Sequence, residues 1–304
     1  MAMLIGADVG GSKTAVGVSE GGAVLARADG PGAAVRPGRA LASAGMIAEV
    51  VRRALASVGR LSGDVLLVGA AGAGRDPERS ELAKALRGES LATRVEVTTD
   101  VELALAGAFH SGPGIVVSAG TGSIAVGRDA KGARWRIGGY GWQMGDEGSG
   151  YAIGRAALGA VSRAHDGRSP RTALTDRVLA ATRCADFDSV VRWAAGASPS
   201  EIASLAPHVL EVAAQGDPLA QGIADYAARE LSQLAICLRP QIEAVPPIGV
   251  ALTGGLLAPD RPLRRAVLAK LKEDQGLGPM DAPVDAVVGA LRLAAVASHS
   301  AVSP

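Results

Sequence analysis

Asp8 closes an apolar run, and Gly10, Gly11, Ser12, Lys13 and Thr14 follow it almost at once. Residues 5–9 and 15–18 have the composition of strands, so one reading of the glycines is a tight hairpin and nothing more. The other reading is chemical. Paired glycines leave backbone N–H groups uncovered, and Ser12 and Thr14 add hydroxyl donors on either side of Lys13, an arrangement that suits a phosphate. Asp8 would repel that phosphate unless a cation stood between them. Mg²⁺ fits the requirement, because it takes one or two carboxylates together with phosphate oxygens while keeping several waters. The familiar G-x-x-x-x-G-K-[ST] phosphate loop is excluded, since no lysine in the chain directly follows a glycine.

Two further acidic positions stand at places where chemistry is possible. Asp100 ends the strand-like stretch RVEVTTD (94–100) and precedes a helical stretch over 101–109. A carboxylate there can cap the helix, or it can accept a proton from a substrate hydroxyl. In MGDEGSGYAIG (144–154), Asp146 and Glu147 lie between glycines ahead of a helical stretch over 151–164, where negative charge suits the positive helix end. On the residues alone, capping and chemistry both remain open at each position.

The elements that would position these groups occur twice. Residues 15–30, AVGVSEGGAVLARADG, can be laid over 125–139, AVGRDAKGARWRIGG, and each follows an apolar strand and a glycine-rich hairpin carrying hydroxyls. The second strand is 114–119, and its hairpin is Gly120-Thr121-Gly122-Ser123. Helical patterns follow over 40–58 and 101–109 in the first half, and over 151–164 and most of 172–242 in the second. DVLLVGAAGAG (64–74) and 94–100 read as further strands, the first running into a loop at Gly72 that lines a cleft or simply packs tightly. Three strands in hairpins followed by helix and strand, done twice, predict two α/β lobes facing a cleft. The halves divide near 110, as 1–110 and 111–304. The final helical stretch, 284–297, is expected to return to the first lobe.

Composition restricts the class. The 304 residues are 48% hydrophobic and 20% charged, enough to bury a substantial core in two domains. With Lys+Arg 31 against Asp+Glu 30 and 3% aromatic residues, the chain has neither the basic field nor the stacking residues of a nucleic-acid binder, and no charge to seek an anionic membrane. Cys184 and Cys237 belong to no C-x-x-C, and the four histidines form no H-E-x-x-H, which argues against a structural zinc site. The absence of a signal-like or membrane-spanning segment points to a cytoplasmic protein with reduced thiols.

The stretches 8–14, Thr99-Asp100, 120–123 and GGYGWQMGDEGS (138–149), in this order and spacing, resemble the N-acetylglucosamine kinase and BadF/BadG/BcrA/BcrD ATPase family of the actin, Hsp70 and sugar-kinase superfamily. HDGRSPRTALTDRVL (165–179), QGDPLA (215–220), LTGGL (252–256) and DAVVGAL (285–291) extend the resemblance over nearly the whole chain. It implies two actin-like, ribonuclease H-like lobes with a duplicated β-β-β-α-β-α plan, and an ATP- and Mg²⁺-dependent kinase that phosphorylates the 6-hydroxyl of an amino sugar. By the same resemblance Asp100 is the catalytic base and touches the sugar, and Asp8 faces the metal, directly or through water. Gly10, Gly11, Ser12, Lys13, Thr14, Thr121 and Gly122 meet the phosphates, Gly254 and Gly255 the adenosine part of the nucleotide. Gly139, Tyr140 and Asp146 line the sugar pocket. A homodimer is a further expectation from similar proteins.

The chain also departs from the pattern. Ala34, in ADGPGAAVRPG (28–38), falls where similar kinases carry an Asn that bonds sugar hydroxyls, and Tyr140 stands where Trp is frequent. These changes leave the sugar open among N-acetylglucosamine, glucosamine, glucose and a muramic acid derivative. Two other classes share the fold: the ATPase activators of 2-hydroxyacyl-CoA dehydratases, and sugar-responsive regulators. The activators hold an iron–sulfur cluster through cysteines, whereas Cys184 and Cys237 fall in stretches expected to be helical, outside glycine loops, and read as buried thiols. The regulators need a DNA-binding helix-turn-helix, for which the chain ahead of the first strand has no room.

Overall fold

The structure, a computed structural model, describes residues 1–299. The chain divides into two compact units. One holds residues 1–111 and the described chain from Val284 onward, the other residues 112–283.

The first unit begins with β1 (Met3–Val9), β2 (Lys13–Glu20) and β3 (Ala23–Pro31), continues through α1 (Ala40–Ala56), β4 (Gly63–Ala70), α2 (Asp76–Gly88) and β5 (Ala92–Thr98), and reaches α3 (Asp100–Phe109). Its sheet has the order β3-β2-β1-β4-β5, with antiparallel hairpins on one side of β1 and parallel strands on the other. β1 is apolar on both faces because both faces are covered. Ile5, Ala7 and Val9 join Ile47, Val51 and Leu55 of α1 and Leu82 and Leu86 of α2 in one core. Leu4 joins a second core with Val65, Leu67 and Leu103.

The second unit repeats the plan with β6 (Gly114–Ala119), β7 (Ser123–Arg128) and β8 (Arg134–Gly138). Six helices then precede the next strand: α4 (Gly150–His165), α5 (Leu174–Thr182), α6 (Phe187–Gly196), α7 (Pro199–Ala203), α8 (Ala206–Ala214) and α9 (Pro218–Leu238). β9 (Ile248–Thr253), α10 (Pro262–Leu271) and β10 (Leu277–Met280) complete the sheet, whose order β10-β9-β6-β7-β8 matches that of the first unit. Asp217 ties the helical insertion together. Its carboxylate caps α9 through the N–H groups of Leu219 and Ala220, both at 3.0 Å, and accepts from the Thr172 hydroxyl at 2.8 Å and the Ala173 N–H at 2.9 Å. Burial opposes the charge on Asp217, but these four donors hold it below the usual carboxylate range.

The last helix, α11 (Ala286–His299), belongs to the first unit, where Val287, Ala290, Leu291 and Ala294 pack with Leu103 of α3. The approach is close enough that a Cβ on Gly289 would stand 1.9 Å from the carbonyl oxygen of Leu103. No described helix is long and apolar enough to cross a membrane.

The cysteines differ from expectation. Cys184 follows the left-handed residue Arg183 that ends α5, so it lies in a turn and is half-buried. Cys237 is on α9 but exposed, because the packed stripe of that helix passes through Leu231, Ala235 and Leu238 instead.

Candidate active site

In the first unit, register places Asp8 opposite Gly69 of β4, and Gly69 opposite Thr98 of β5. One row therefore crosses the C-terminal ends of three parallel strands, where α/β sheets collect their ligands. Two residues beyond Thr98, Asp100 opens α3. Thr99, not Asp100, is the helix cap: its side chain accepts the Glu102 N–H at 3.4 Å. Asp100 accepts the N–H of Val101 at 3.0 Å. Burial raises the Asp100 carboxyl above its ordinary value, and the hydrogen bond offsets this in part.

Asp8 feels the same environment. Burial first, then the negative charges of Asp100 and Asp285, push it up to about 6, against the lowering effect of Lys13. Asp285 starts the DAVVGAL stretch, and its Oδ1 accepts the Val288 N–H at 3.0 Å at the beginning of α11. Arg27 reaches it with two nitrogens, at 2.6 and 3.3 Å. Although burial works against it, these bonds hold Asp285 below the usual range. The Arg27–Asp285 pair was not foreseen; an Asp ahead of an apolar run was its only trace in the sequence.

The turn after β1 is closed by the Gly10 N–H on the Lys13 carbonyl at 2.8 Å. A Cβ on Gly11 would meet nothing within 4 Å, so the turn offers open backbone there. Ser12 is exposed, and exposed Lys13 pairs with Asp29 at 3.0 Å. Thr14 is different: it is fully buried and its hydroxyl donates to the Pro31 carbonyl at 2.8 Å, so that hydroxyl braces the hairpin. The loop carrying Ala34 is bonded to this turn through Ala33 N–H to Gly10 O at 3.2 Å, and to the turn after β4 through Val35 N–H to Ala71 O at 2.9 Å. Gly72 belongs to the same packing, with room for a Cβ denied by the Val35 carbonyl at 2.1 Å.

In the second unit the turn after β6 is docked on the start of α4. The N–H groups of Gly150 and Tyr151 donate to the carbonyls of Gly120 and Thr121 at 2.8 and 3.2 Å, and Ser149 caps α4 through Ala152. Asp146 sits against this turn. It is buried, has a left-handed φ of 62°, and its carboxylate accepts the N–H groups of Ser123 and Gly141. A Cβ on Gly122 would stand 2.7 Å from its Oδ2. Burial raises the Asp146 carboxyl, and the two amides and neighbouring Glu147 modify that shift. The Ser123 hydroxyl reaches the Glu147 carbonyl at 2.7 Å, and the Gly139 N–H reaches the Ser123 carbonyl at 3.0 Å. Thus Thr121, Gly122, Gly139 and Asp146 form one connected piece. Tyr140 is 56% exposed, with the Arg136 guanidinium 5.3 Å from its ring centre. Trp142 tilts on Tyr151 at 5.1 Å.

Gly254 stands beside this piece. Ser118 pairs with Thr253, and Gly254, at φ 91°, comes so near β6 that a Cβ would lie 2.3 Å from the Ala119 carbonyl oxygen. Only glycine fits both demands. Gly255 beside it faces open space. The turns 120–122 and 254–255 are therefore neighbours at the C-terminal ends of parallel strands β6 and β9.

The sequence pattern of the BadF/BadG/BcrA/BcrD ATPase family matches residues 5–294. An N-acetyl-D-glucosamine kinase of Dictyostelium discoideum is 31% identical over 249 residues, 76% of this chain and 77% of that protein. An N-acetylmuramic acid/N-acetylglucosamine kinase of Clostridium acetobutylicum is 36% identical over 168 residues, and this match spans only 55% of each chain. Among solved structures, a candidate N-acetylglucosamine kinase of Chromobacterium violaceum superposes with a TM-score of 0.80 at 29% identity, covering 96% of this chain and 99% of that one. The chain belongs to the BadF/BadG/BcrA/BcrD ATPase family, and its duplicated five-stranded sheets are those of the actin-like sugar kinases.

Proposed function

We propose that this protein is an ATP-dependent amino-sugar kinase that phosphorylates the 6-hydroxyl of N-acetylglucosamine or glucosamine, with its two compact units as the lobes of the enzyme. The observation that carries the reading is the position of Asp100. It is a half-buried carboxylate of raised basicity at the strand ends, in a family of ATPases, with the capping of its helix already supplied by Thr99.

Asp100 accepts the proton of the sugar hydroxyl as that oxygen attacks the γ-phosphorus; the new P–O bond forms while the bond to the β-phosphate breaks and ADP departs. The amides of Gly11 and Ser12, with Lys13, hold phosphate oxygens in the first unit, where Gly10, its own N–H taken by the Lys13 carbonyl, lets the phosphate approach the turn; Thr121 and Gly122 hold them in the second. Thr14 contributes by fixing the hairpin. Gly254 and Gly255 present bare backbone to the adenosine part. Gly139, Tyr140 and Asp146 receive the sugar, with Asp146 also binding its own turn together.

Asp8 fits a magnesium ion: burial and two neighbouring carboxylates make its charge unfavourable alone, which a cation would relieve. When bound, Mg²⁺ supplies charge neutralisation to the phosphates. Ala34 supplies no side-chain polar group to the sugar, so selectivity among amino sugars is looser than in a pocket that pairs every hydroxyl. The working form is a homodimer, which light scattering on the purified protein would check.

The test is a coupled ADP-release assay over N-acetylglucosamine, glucosamine, N-acetylmuramic acid and glucose. Amino-sugar-dependent ADP release with kcat/KM highest for N-acetylglucosamine or glucosamine is expected. ADP release indifferent to every sugar would overturn the proposal.

A further inference from the structure

Arg264 of α10 is buried to 2% exposure, the bulkiest fully buried side chain among the described residues. Its guanidinium is surrounded by carbonyls. Nη1 donates to Leu252 O at 3.2 Å and Leu257 O at 2.8 Å. Nη2 donates to Asp281 O at 2.9 Å, with Met280 O and Ala282 O at 3.4 and 3.5 Å. Nε meets Asp281 Oδ1 at 3.2 Å, on a side chain that is itself 85% exposed. Filling this space would need only a leucine or methionine, and burying a cation is costly unless every N–H is satisfied. The arrangement therefore has to be explained by what the carbonyls belong to.

Two of them bracket Gly254–Gly255: Leu252 lies in the last turn-ward part of β9, and Leu257 closes the short helical turn that Gly255 begins. The others form the segment 280–282, just before the chain re-enters the first unit at Val284. One planar fork thus fixes the peptide planes on both sides of the glycine turn and ties them to a third stretch of chain.

We propose that Arg264 is a positioning residue for nucleotide binding, setting the spacing at which the backbone of the Gly254–Gly255 turn meets the adenosine part of ATP. The proposal rests on the reading, given above, that this turn contacts the nucleotide. A lysine keeps the charge but is a point donor that cannot span carbonyls on opposite sides of the turn.

The experiment measures kcat and both KM values for the wild type, Arg264→Lys and Gly255→Val, with thermal melting alongside. Arg264→Lys is expected to raise KM for ATP about 10-fold or more and to leave KM for the amino sugar within about twofold at saturating ATP. A residue that merely fills the core would lower Tm with both KM values unchanged, and that result overturns the proposal. Gly255→Val points a side chain into open space without strain and should raise KM for ATP as well. If it does not, the turn does not bind nucleotide, and both readings fall together. If Gly255→Val weakens ATP while Arg264→Lys does not, only the positioning role falls. Should Arg264→Lys not fold, Asp281→Ala, at an exposed side chain, carries the test. A rise in KM for ATP of roughly 2–5-fold supports the role, and an unchanged value overturns it.

Discussion

Thr99 and Asp100 stand side by side at the start of α3 and do separate work: Thr99 Oγ1 accepts the Glu102 N–H at 3.4 Å, while Asp100 Oδ1 accepts the adjacent Val101 N–H at 3.0 Å. Helix capping thereby falls to Thr99, which leaves Asp100 for the proton acceptance proposed above. Asp100→Asn keeps size and backbone bonding but cannot accept a proton. Turnover should fall about 10²–10⁴-fold, with ATP affinity and Tm near wild type. Thr99→Ala should instead cost about 1 kcal/mol of stability, seen as a lowered Tm. Steady-state kinetics and melting of the two variants would show the division, and near-normal turnover in Asp100→Asn would remove the base from the mechanism.

The raised Asp8 carboxyl makes a pH prediction whose sign is definite. Its ordinary value is 3.8 and its folded value about 6, so the folded protein holds the proton more tightly. Protein without ligands consequently loses stability as pH rises from about 4 to about 6, by roughly 2–3 kcal/mol from this group. Asp8→Asn removes the effect. The stability difference between variant and wild type should be near zero at pH 4 and should favour the variant at pH 7, as urea unfolding at several pH values would reveal. A difference that does not change with pH would show that Asp8 ionises like an exposed carboxylate.

Gly122 and Asp146 constrain one another in the second unit. Gly122→Ala would press a methyl group against Oδ2 of Asp146 and push the carboxylate away from the Ser123 and Gly141 amides. Overpacking of this kind should cost about 1–3 kcal/mol, measurable by denaturant unfolding. Gly120→Ala, where a Cβ has open space, is the control and should cost much less.

How much of this was legible beforehand follows from how each element is built. The two hairpin starts and the long helices α1, α4 and α9 have strong apolar periodicity, and the fold class followed from their repetition. α2 was missed because only Leu82 and Leu86 of DPERSELAKALRG are buried, leaving a mostly charged stretch with little pattern. β10 is four residues, LGPM, including a glycine and a proline, and carries no strand signal of its own. Among the candidate site residues, Asp8, Asp100 and the glycine turns stand out in the sequence because their types are unusual at strand ends. The fixed role of the Thr14 hydroxyl was not, since it depends on Pro31 of a neighbouring strand. Arg264 was invisible for the same reason: its partners lie 7 to 18 positions away along the chain.

The turn after β1 offers the cleanest separation of nucleotide from sugar binding. A Cβ at Gly11 would meet nothing within 4 Å beyond its chain neighbours, so Gly11→Val should fold normally. Its branched side chain would nevertheless occupy the space over the turn's amides. Calorimetry should show ATP binding weakened about 10-fold or more and amino-sugar binding little changed. Equal ATP affinity in a folded variant would return the turn to a purely structural role.

The central claim, that Asp100 serves transfer of phosphate to the 6-hydroxyl of an amino sugar, is tested most directly by following ATP and N-acetylglucosamine by phosphorus NMR with wild type and Asp100→Asn. Wild type should convert the γ-phosphate signal into a sugar 6-phosphate and ADP in equal amounts, with Asp100→Asn slower by about 10²-fold or more. Release of inorganic phosphate without a phosphorylated sugar, or equal rates in the two proteins, would contradict the account.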